Sequence, residues 1–173
     1  MPVDPAQLTI VHHPDPVLHR QADPVAQIDD EVRGVAARML ELMHAAPGVG
    51  LAAPQVGLPW RLFVANPTGQ PGDDAVYINP ELSEPSPATE ASEEGCLSLP
   101  DVRGVITRPL GVTLKATDLD GQAVERRVEG FEARVWQHEF DHLDGVLIID
   151  RMTAADRRAV RRAMRVLDPG YAA

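Results

Sequence analysis

Cysteine, long apolar runs and an N-terminal leader pattern are scarce or missing in this sequence. Cys96 is the only cysteine among 173 residues, so no disulfide bond can form within the chain, as is typical of proteins in a reducing compartment. No apolar run approaches the length of a membrane-spanning helix. The first residues lack a basic region followed by an apolar stretch, which argues against a secretory signal or a transit peptide.

Positive charge is also in short supply. Sixteen lysine and arginine residues face 26 aspartate and glutamate residues, which gives a formal net charge of −10. The average field of such a chain repels phosphate, so general nucleic-acid binding and binding to anionic membranes are disfavoured. The exception is the segment from Arg151 onward, where six arginines and two aspartates, Asp156 and Asp168, give a net charge of +4. The remainder of the chain therefore carries a net charge of −14.

The sequence does contain an H-E-x-x-H pattern, at His138, Glu139 and His142. On a helix, histidines four residues apart lie on one face, one turn apart, as two ligands of a single metal ion require. Glu139 projects from the flank of that face, where it can handle the proton of a water molecule but is poorly placed to be a ligand. The alternative is a chance pair of core histidines, which is costly to bury among carboxylates unless a metal organises it.

Apolar side chains continue the face that carries the two histidines. At about 100° per residue, Phe131, Val135, His138 and His142 form one stripe along the predicted helix. The metal-binding face therefore extends into an apolar wall, and this predicts a hydrophobic pocket beside the metal.

A third ligand is missing from its usual positions. In one class of metalloproteases the pattern continues as H-E-x-x-H-x-x-G-x-x-H, but Ile148 stands where the last histidine would be. Glu139 is the last glutamate of the chain, and Asp144 and Asp150 remain as unusual candidates. A lone cysteine is more often a small buried apolar residue. Because the other candidates are missing, Cys96 is nevertheless the predicted third ligand, and it completes a Cys-His-His site with a fourth position open to water.

The glycine-rich segment at residues 48–57 does not fit a nucleotide-binding loop. Such a loop follows a strand and opens a helix, whereas here a helix is predicted before the segment and a strand, residues 60–64, after it. The glycines allow the backbone to pass close to a ligand. The Gln55 amide can donate to a developing oxyanion, and the alternative is a glutamine on a surface loop.

The hydrophobic pattern predicts a single α+β domain over residues 1–173, with mainly antiparallel sheets around a central metal-binding helix. A first helix is capped by Asp29 or Asp30 and stops near Pro47. The central helix covers about residues 131–143, and a final helix about 153–167. Asp120-Gly121 is the strongest hairpin signal. Other predicted strands cover residues 8–11, 76–78, 88–92, 105–107, 112–116, 124–128 and 146–149.

Three segments together resemble the signature motifs of the peptide deformylase family. They are GVGLAAPQ at residues 48–55, EGCLS at 94–98 and QHEFDH at 137–142, and the resemblance extends from His13-Pro14-Asp15 to the final helix. It implies hydrolysis of the N-formyl group from the N-terminal methionine of nascent polypeptides in the bacterial cytoplasm, with release of formate. Fe²⁺ is the divalent metal that the resemblance implies, with Zn²⁺, Ni²⁺ or Co²⁺ able to occupy the site; ligand preference alone suits zinc.

The resemblance also implies roles in catalysis. Glu139 accepts the proton of the attacking water and delivers it to the departing amine. The backbone N–H of Leu97 joins the Gln55 amide in holding the oxyanion.

An apolar pocket for the methionine side chain is predicted from the stripe, which supplies Phe131 and Val135, and the resemblance adds Val49 and Gly50 to it. The same resemblance implies that Arg103 contacts the substrate backbone and that Glu94 pairs with Arg108 as support for the site; for both, ion pairing at the surface is the alternative. The residues predicted to contact or support the substrate are Val49, Gly50, Glu94, Arg103, Phe131 and Val135.

Two other classes of function are compatible with an H-E-x-x-H pattern. A general metallopeptidase would cut unformylated peptides and would need a downstream third ligand. A non-catalytic metal-binding module would need four closed ligands, and the remaining histidines, at positions 12, 13, 19 and 44, lie far upstream.

The final helix carries a concentrated basic face, and its arginines are Arg157, Arg158, Arg161, Arg162 and Arg165. One interpretation is that these arginines pair with the acidic remainder of the chain. The other is that the face contacts ribosomal RNA near the peptide exit, since the family that the chain resembles docks on the ribosome through its C-terminal helix.

Overall fold

A five-stranded antiparallel sheet and a two-stranded hairpin contact one central helix in the computed structural model, which describes residues 2–172. The sheet has the strand order β1-β2-β3-β6-β7, and β4 pairs with β5 in the hairpin. The strands are β1 (Gly50–Ala52), β2 (Leu62–Ala65), β3 (Ala75–Ser83), β4 (Thr89–Cys96), β5 (Leu99–Pro109), β6 (Gly111–Thr117) and β7 (Ala123–Glu129). The helices are α1 (Asp30–Ala45), α2 (Gly130–Leu143), α3 (Ile148–Arg151) and α4 (Ala154–Leu167). This confirms the predicted α+β class.

Side-chain caps set the starts of α1 and α4 where the sequence predicts them. Asp29 Oδ1 accepts the N–H of Val32 at 3.0 Å, and Thr153 Oγ1 accepts the N–H of Asp156 at 3.1 Å. Helix α2 stops beside Gly145, which has φ +72° and therefore adopts the left-handed conformation common just beyond helix ends.

Helix α2 is buried on several sides. Trp136 and Leu143 are fully buried in a core shared with the five-stranded sheet, and the Trp136 ring meets the Tyr77 ring edge-on at 5.3 Å between centroids. Another side of α2 contacts β5. The sheet and the hairpin thus hold α2 from different directions, which fixes the position of the residues that it carries.

The predicted strand at residues 146–149 is wrong. Leu147 leads instead into the short helix α3, whose Asp150 side chain accepts the Leu147 N–H at 2.8 Å. The apolar residues of this segment are buried as expected, but they pack in a core with β5 and α4 rather than in a ladder.

The predicted strand at residues 8–11 is also wrong. Leu8 closes a 3-10 helix at Pro5–Gln7, and five prolines in the first 28 residues disfavour a ladder. The Val11 N–H donates to the Gln55 carbonyl at 2.8 Å, so the segment is still tied to the body beside Gln55.

Candidate metal centre and active site

Three donor atoms from two elements converge at the end of the β4–β5 hairpin. Cys96 Sγ, at the end of β4, lies 3.3 Å from His142 Nε2, and His142 Nε2 lies 3.3 Å from His138 Nε2. All three atoms lie within 4.8 Å of one another. The H-E-x-x-H spacing places the two imidazoles one turn apart on α2, as predicted.

The spacing of these atoms fits a metal ion. Zinc-type bonds of about 2.0–2.3 Å in a tetrahedron place neighbouring ligand atoms roughly 3.3–3.7 Å apart. One cysteine sulfur and two imidazole nitrogens are also a donor set that divalent transition metals prefer. The residues present therefore suit a divalent metal with three protein ligands.

The two aspartates that were alternative candidates for the third ligand make other contacts. Asp144 pairs with Arg61 at 2.8 Å, and Asp150 accepts the Leu147 N–H. Among residues 2–172, the cluster that could hold a metal contains Cys96 rather than either aspartate.

Behind His138, a buried ionic network holds the imidazole. His138 Nδ1 lies 3.0 Å from Glu94 Oε2, and Glu94 also accepts Arg108 Nε at 2.6 Å and Arg134 Nη1 at 2.8 Å. Arg108 Nη1 reaches Asp141 at 2.8 Å. Burial alone would raise the pKa of Glu94, but hydrogen bonds from Arg108 and His138 outweigh it and hold the pKa far below its usual range. Because Glu94 and Arg108 are both buried, their pairing is not a surface contact.

Glu139 is buried beside the donor atoms. Burial raises the pKa of its carboxyl to about 7, although the neighbouring His138 opposes the rise. Glu139 Oε2 has no hydrogen-bond partner among the described residues. Gly50 leaves room for this side chain, because a Cβ at position 50 would lie 2.8 Å from Glu139 Cγ.

Gln55 presents its amide towards the same spot. Its Oε1 accepts the N–H of Ala52 at 2.9 Å, which directs Nε2 towards Cys96 Sγ at 3.6 Å and Ser98 Oγ at 3.3 Å. Gln55 is 1% exposed, so the alternative of a surface glutamine is wrong.

A cavity of about 670 Å³ opens beside the donor atoms. Of the twelve site residues predicted from the sequence, His142 alone is not part of its lining. The lining therefore includes Val49, Gly50, Gln55, Glu94, Cys96, Leu97, Arg103, Phe131, Val135, His138 and Glu139.

The cavity has a buried wall and an exposed mouth. Val135 is buried beside His138, whereas Phe131 is 57% exposed and Val49 38% exposed. Arg103 is also exposed, and its guanidinium lies 3.6 Å from Glu93. Three residues of the predicted stripe thus line the cavity, Phe131 at the outer end and then Val135 and His138.

Sequence reasoning missed three buried polar residues near the donor atoms. Arg134 and Asp141 belong to the network behind His138, and Ser98 contacts the Gln55 amide. The signal available for Arg134 was its place four residues before His138, on the face predicted to bind metal.

Comparison with known proteins identifies the family. Residues 7–158 match the family model described as polypeptide deformylase. A peptide deformylase of Thermotoga sp. (strain RQ2) is 47% identical over 150 residues, covering 87% of this chain and 90% of the relative. One from Rhodopirellula baltica is 45% identical over 147 residues, covering 84% and 73%.

Solved structures agree. Peptide deformylase from Thermotoga maritima superposes with a TM-score of 0.81 at 45% identity, covering 84% of this chain and 97% of that one. Peptide deformylase 1B of Arabidopsis thaliana, in complex with an inhibitor, gives 0.89 at 36% identity, covering 95% and 92%. The chain belongs to the peptide deformylase family.

Proposed function

We propose that this enzyme removes the N-formyl group from the N-terminal methionine of nascent polypeptides with Cys96, His138 and His142 as the ligands of one divalent metal ion. Deformylation of nascent chains by metal-dependent hydrolysis is the activity of the family. The observation that carries the assignment of ligands is the convergence of one cysteine sulfur and two imidazole nitrogens beside the buried Glu139.

Proton transfer falls to Glu139. When bound, the metal lowers the pKa of water and polarises the formyl oxygen. A carboxyl with its pKa near 7 exchanges a proton readily at neutral pH, so Glu139 takes the proton of the attacking water and passes it to the departing amine nitrogen. Its Oε2, which accepts no hydrogen bond from residues 2–172, is available for both transfers.

The oxyanion of the tetrahedral intermediate is held by the Gln55 Nε2–H group and the Leu97 backbone N–H. The hydrogen bond from Ala52 fixes the orientation of the Gln55 amide before substrate arrives. Donors fixed in advance stabilise the transition state without reorganisation.

The methionine side chain occupies the cavity beside the metal ligands. Val49, Gly50, Phe131 and Val135 supply its apolar wall, which suits a flexible thioether. Arg103 lies at the mouth, where it can reach the substrate backbone. Glu94 supports the site through its contact with His138 Nδ1.

Fe²⁺ is the working metal in this proposal, although the same ligands accept Zn²⁺, Ni²⁺ or Co²⁺. Protein purified without oxygen should contain iron and lose activity in air as the iron and Cys96 oxidise. A zinc form with equal activity and equal stability in air would contradict the iron assignment.

Formate release from formyl-Met-Ala-Ser tests the activity, with the unformylated peptide as control. We expect formate from the first peptide and no cleavage of the second. Cleavage of the unformylated peptide would indicate a general metallopeptidase, and no turnover of either would indicate a non-catalytic metal site.

The ribosome is the proposed partner, in the cytoplasm where nascent chains emerge. None of the five arginines of α4 lies within 4 Å of a carboxylate among residues 2–172, so pairing with the acidic body does not neutralise them. Arg158, Arg161, Arg162 and Arg165 are exposed. A free basic face on an acidic protein favours approach to RNA phosphate through that face alone. No helix within residues 2–172 is long and apolar enough to cross a membrane.

A further inference from the structure

The proposed metal ligands come from two separate elements, and this creates a problem of alignment. His138 and His142 are carried by α2, whereas Cys96 ends β4 in the hairpin. A displacement of the hairpin against α2 would move the thiolate relative to both imidazoles. Metal sites tolerate only small departures, about 0.2 Å, from their preferred bond lengths.

One buried side chain spans the joint between these elements. Arg134 begins on α2, one turn before His138, and its Nη1 donates to Glu94 Oε1 at 2.8 Å and to the Ile106 carbonyl at 2.9 Å. Its Nη2 donates to the Glu90 carbonyl at 2.8 Å. The guanidinium therefore holds both strands of the hairpin, β4 through Glu90 and Glu94 and β5 through Ile106.

The same guanidinium also sets the position of the carboxylate that supports His138. Glu94 Oε1 accepts Arg108 Nε and Arg134 Nη1, while Oε2 accepts Arg108 Nη2 and faces His138 Nδ1. The two carboxylate oxygens of Glu94 thus contact four nitrogen atoms of three side chains. Without Arg134, the carboxylate can rotate or slide towards Arg108 and weaken its contact with His138.

We infer that Arg134 is a positioning residue that aligns the hairpin thiolate with the helix imidazoles and so sets the metal affinity of the site. This inference rests on the proposed metal site. Arg134 lines the cavity next to Val135 and His138, but its guanidinium donors are directed to Glu94 and two carbonyls rather than to the open space. Its effect is therefore on the metal rather than on the substrate.

The test uses Co²⁺ as the probe, with affinity measured by competition with a chelator and geometry by the thiolate-to-cobalt absorption. We expect Arg134→Gln to bind Co²⁺ about 10–100-fold more weakly, the range for residues that orient metal ligands, and to shift the absorption band. Arg134→Lys keeps the charge but cannot reach three acceptors at once, so its affinity should fall in between. With saturating Co²⁺, KM for formyl-Met-Ala-Ser should be unchanged.

The matched control is Arg33→Gln, which removes an exposed arginine from α1 and should leave affinity and spectrum unchanged. Unchanged Co²⁺ affinity and spectrum in Arg134→Gln would overturn the inference, as would a raised KM with normal affinity. Failure of both Arg134 variants to fold in saturating Co²⁺ would also overturn it, because the role would then be structural. If the unsubstituted protein shows no thiolate-to-cobalt band, the proposed metal site itself fails.

Discussion

Glu139 combines burial, a raised pKa and a carboxylate oxygen, Oε2, without a partner among residues 2–172, and it supplies none of the three convergent donor atoms. Glu139→Ala should therefore keep metal affinity and lower kcat by about 10²–10⁴-fold, the usual contribution of general acid–base catalysis. Metal content and formate release on the same sample provide the measurement.

A second glutamate of α2 serves as the control for that experiment. Glu132 pairs with Arg126 at 3.1 Å away from the cavity lining, so Glu132→Ala should retain full turnover. An active Glu139→Ala enzyme would contradict the role assigned to the carboxylate.

Gly50 matters because of what lies against it. A Cβ there would meet the Glu139 side chain at 2.8 Å from Cγ, closer than real Cβ contacts allow, so Gly50→Ala must push the carboxylate aside. A displacement of about 1 Å can lower turnover by about 100-fold. We expect that loss in kcat with little change in metal affinity.

Gly34 on α1 offers a matched substitution, since a Cβ there meets Pro5 Cγ at 3.2 Å, far from the cavity lining. Gly34→Ala should leave kcat unchanged. A Gly50→Ala enzyme with normal kcat would show that Glu139 does not need its present position.

At this scale the sequence predicted the residues that converge on the cavity and the supporting pair of Glu94 and Arg108, but it missed Arg134 and Asp141. His138, Glu139 and His142 follow a local spacing rule, and Cys96 could be chosen because other ligands were missing. Arg134 and Asp141 act through contacts with Glu94 and Arg108 that are 33 to 40 residues distant in sequence. No local pattern predicts such contacts.

Among the elements, the helices with clear caps and most of the short strands were predicted well, whereas the runs at residues 8–11 and 146–149 were predicted wrongly. The hairpin at Asp120-Gly121 joins β6 to β7 as expected. The run at residues 146–149 is equally compatible with a buried strand and a buried helical turn, because four apolar residues have no detectable period. The hydrogen bond from the Leu147 N–H to the Asp150 side chain, found at the start of α3, is a weak signal in the sequence.

Helix α4 carries the prediction that belongs to this scale. Reversing Arg158, Arg161 and Arg165 to glutamate should abolish salt-sensitive co-sedimentation with ribosomes, because the basic face then repels phosphate like the remainder of the chain. The inner side of α4, with Met164 fully buried, is untouched by these changes, so the helix should remain folded. Formate release from short formylated peptides should continue.

Arg20→Glu, Arg33→Glu and Arg38→Glu together form a control that changes the net charge equally outside α4. This triple variant should still sediment with ribosomes in low salt. Full-strength ribosome binding after the α4 reversals would mean that these arginines have no role in recruitment.

For the molecule as a whole, the site lies where separate cores meet. The core around Trp136 packs α2 on the five-stranded sheet, while a second core packs the hairpin on α3 and α4. Cys96 is packed against the second core, and the two histidines are carried by α2. A metal bound by all three residues would therefore connect the two cores. The ionic network of Glu94 and Arg108 provides a second connection between α2 and the hairpin.

Removal of the metal should consequently destabilise the entire fold. Binding to the native state alone adds about 4 kcal/mol at a free metal concentration roughly 1,000 times Kd. For a chain of this size each kcal/mol corresponds to about 2–4 °C, so chelation should lower Tm by roughly 10 °C and added Ni²⁺ should restore it. Cys96→Ala, which lacks one proposed ligand, should show a much smaller metal-dependent shift in thermal unfolding followed by circular dichroism. Equal Tm values with and without metal would mean that the ionic network alone joins α2 to the hairpin.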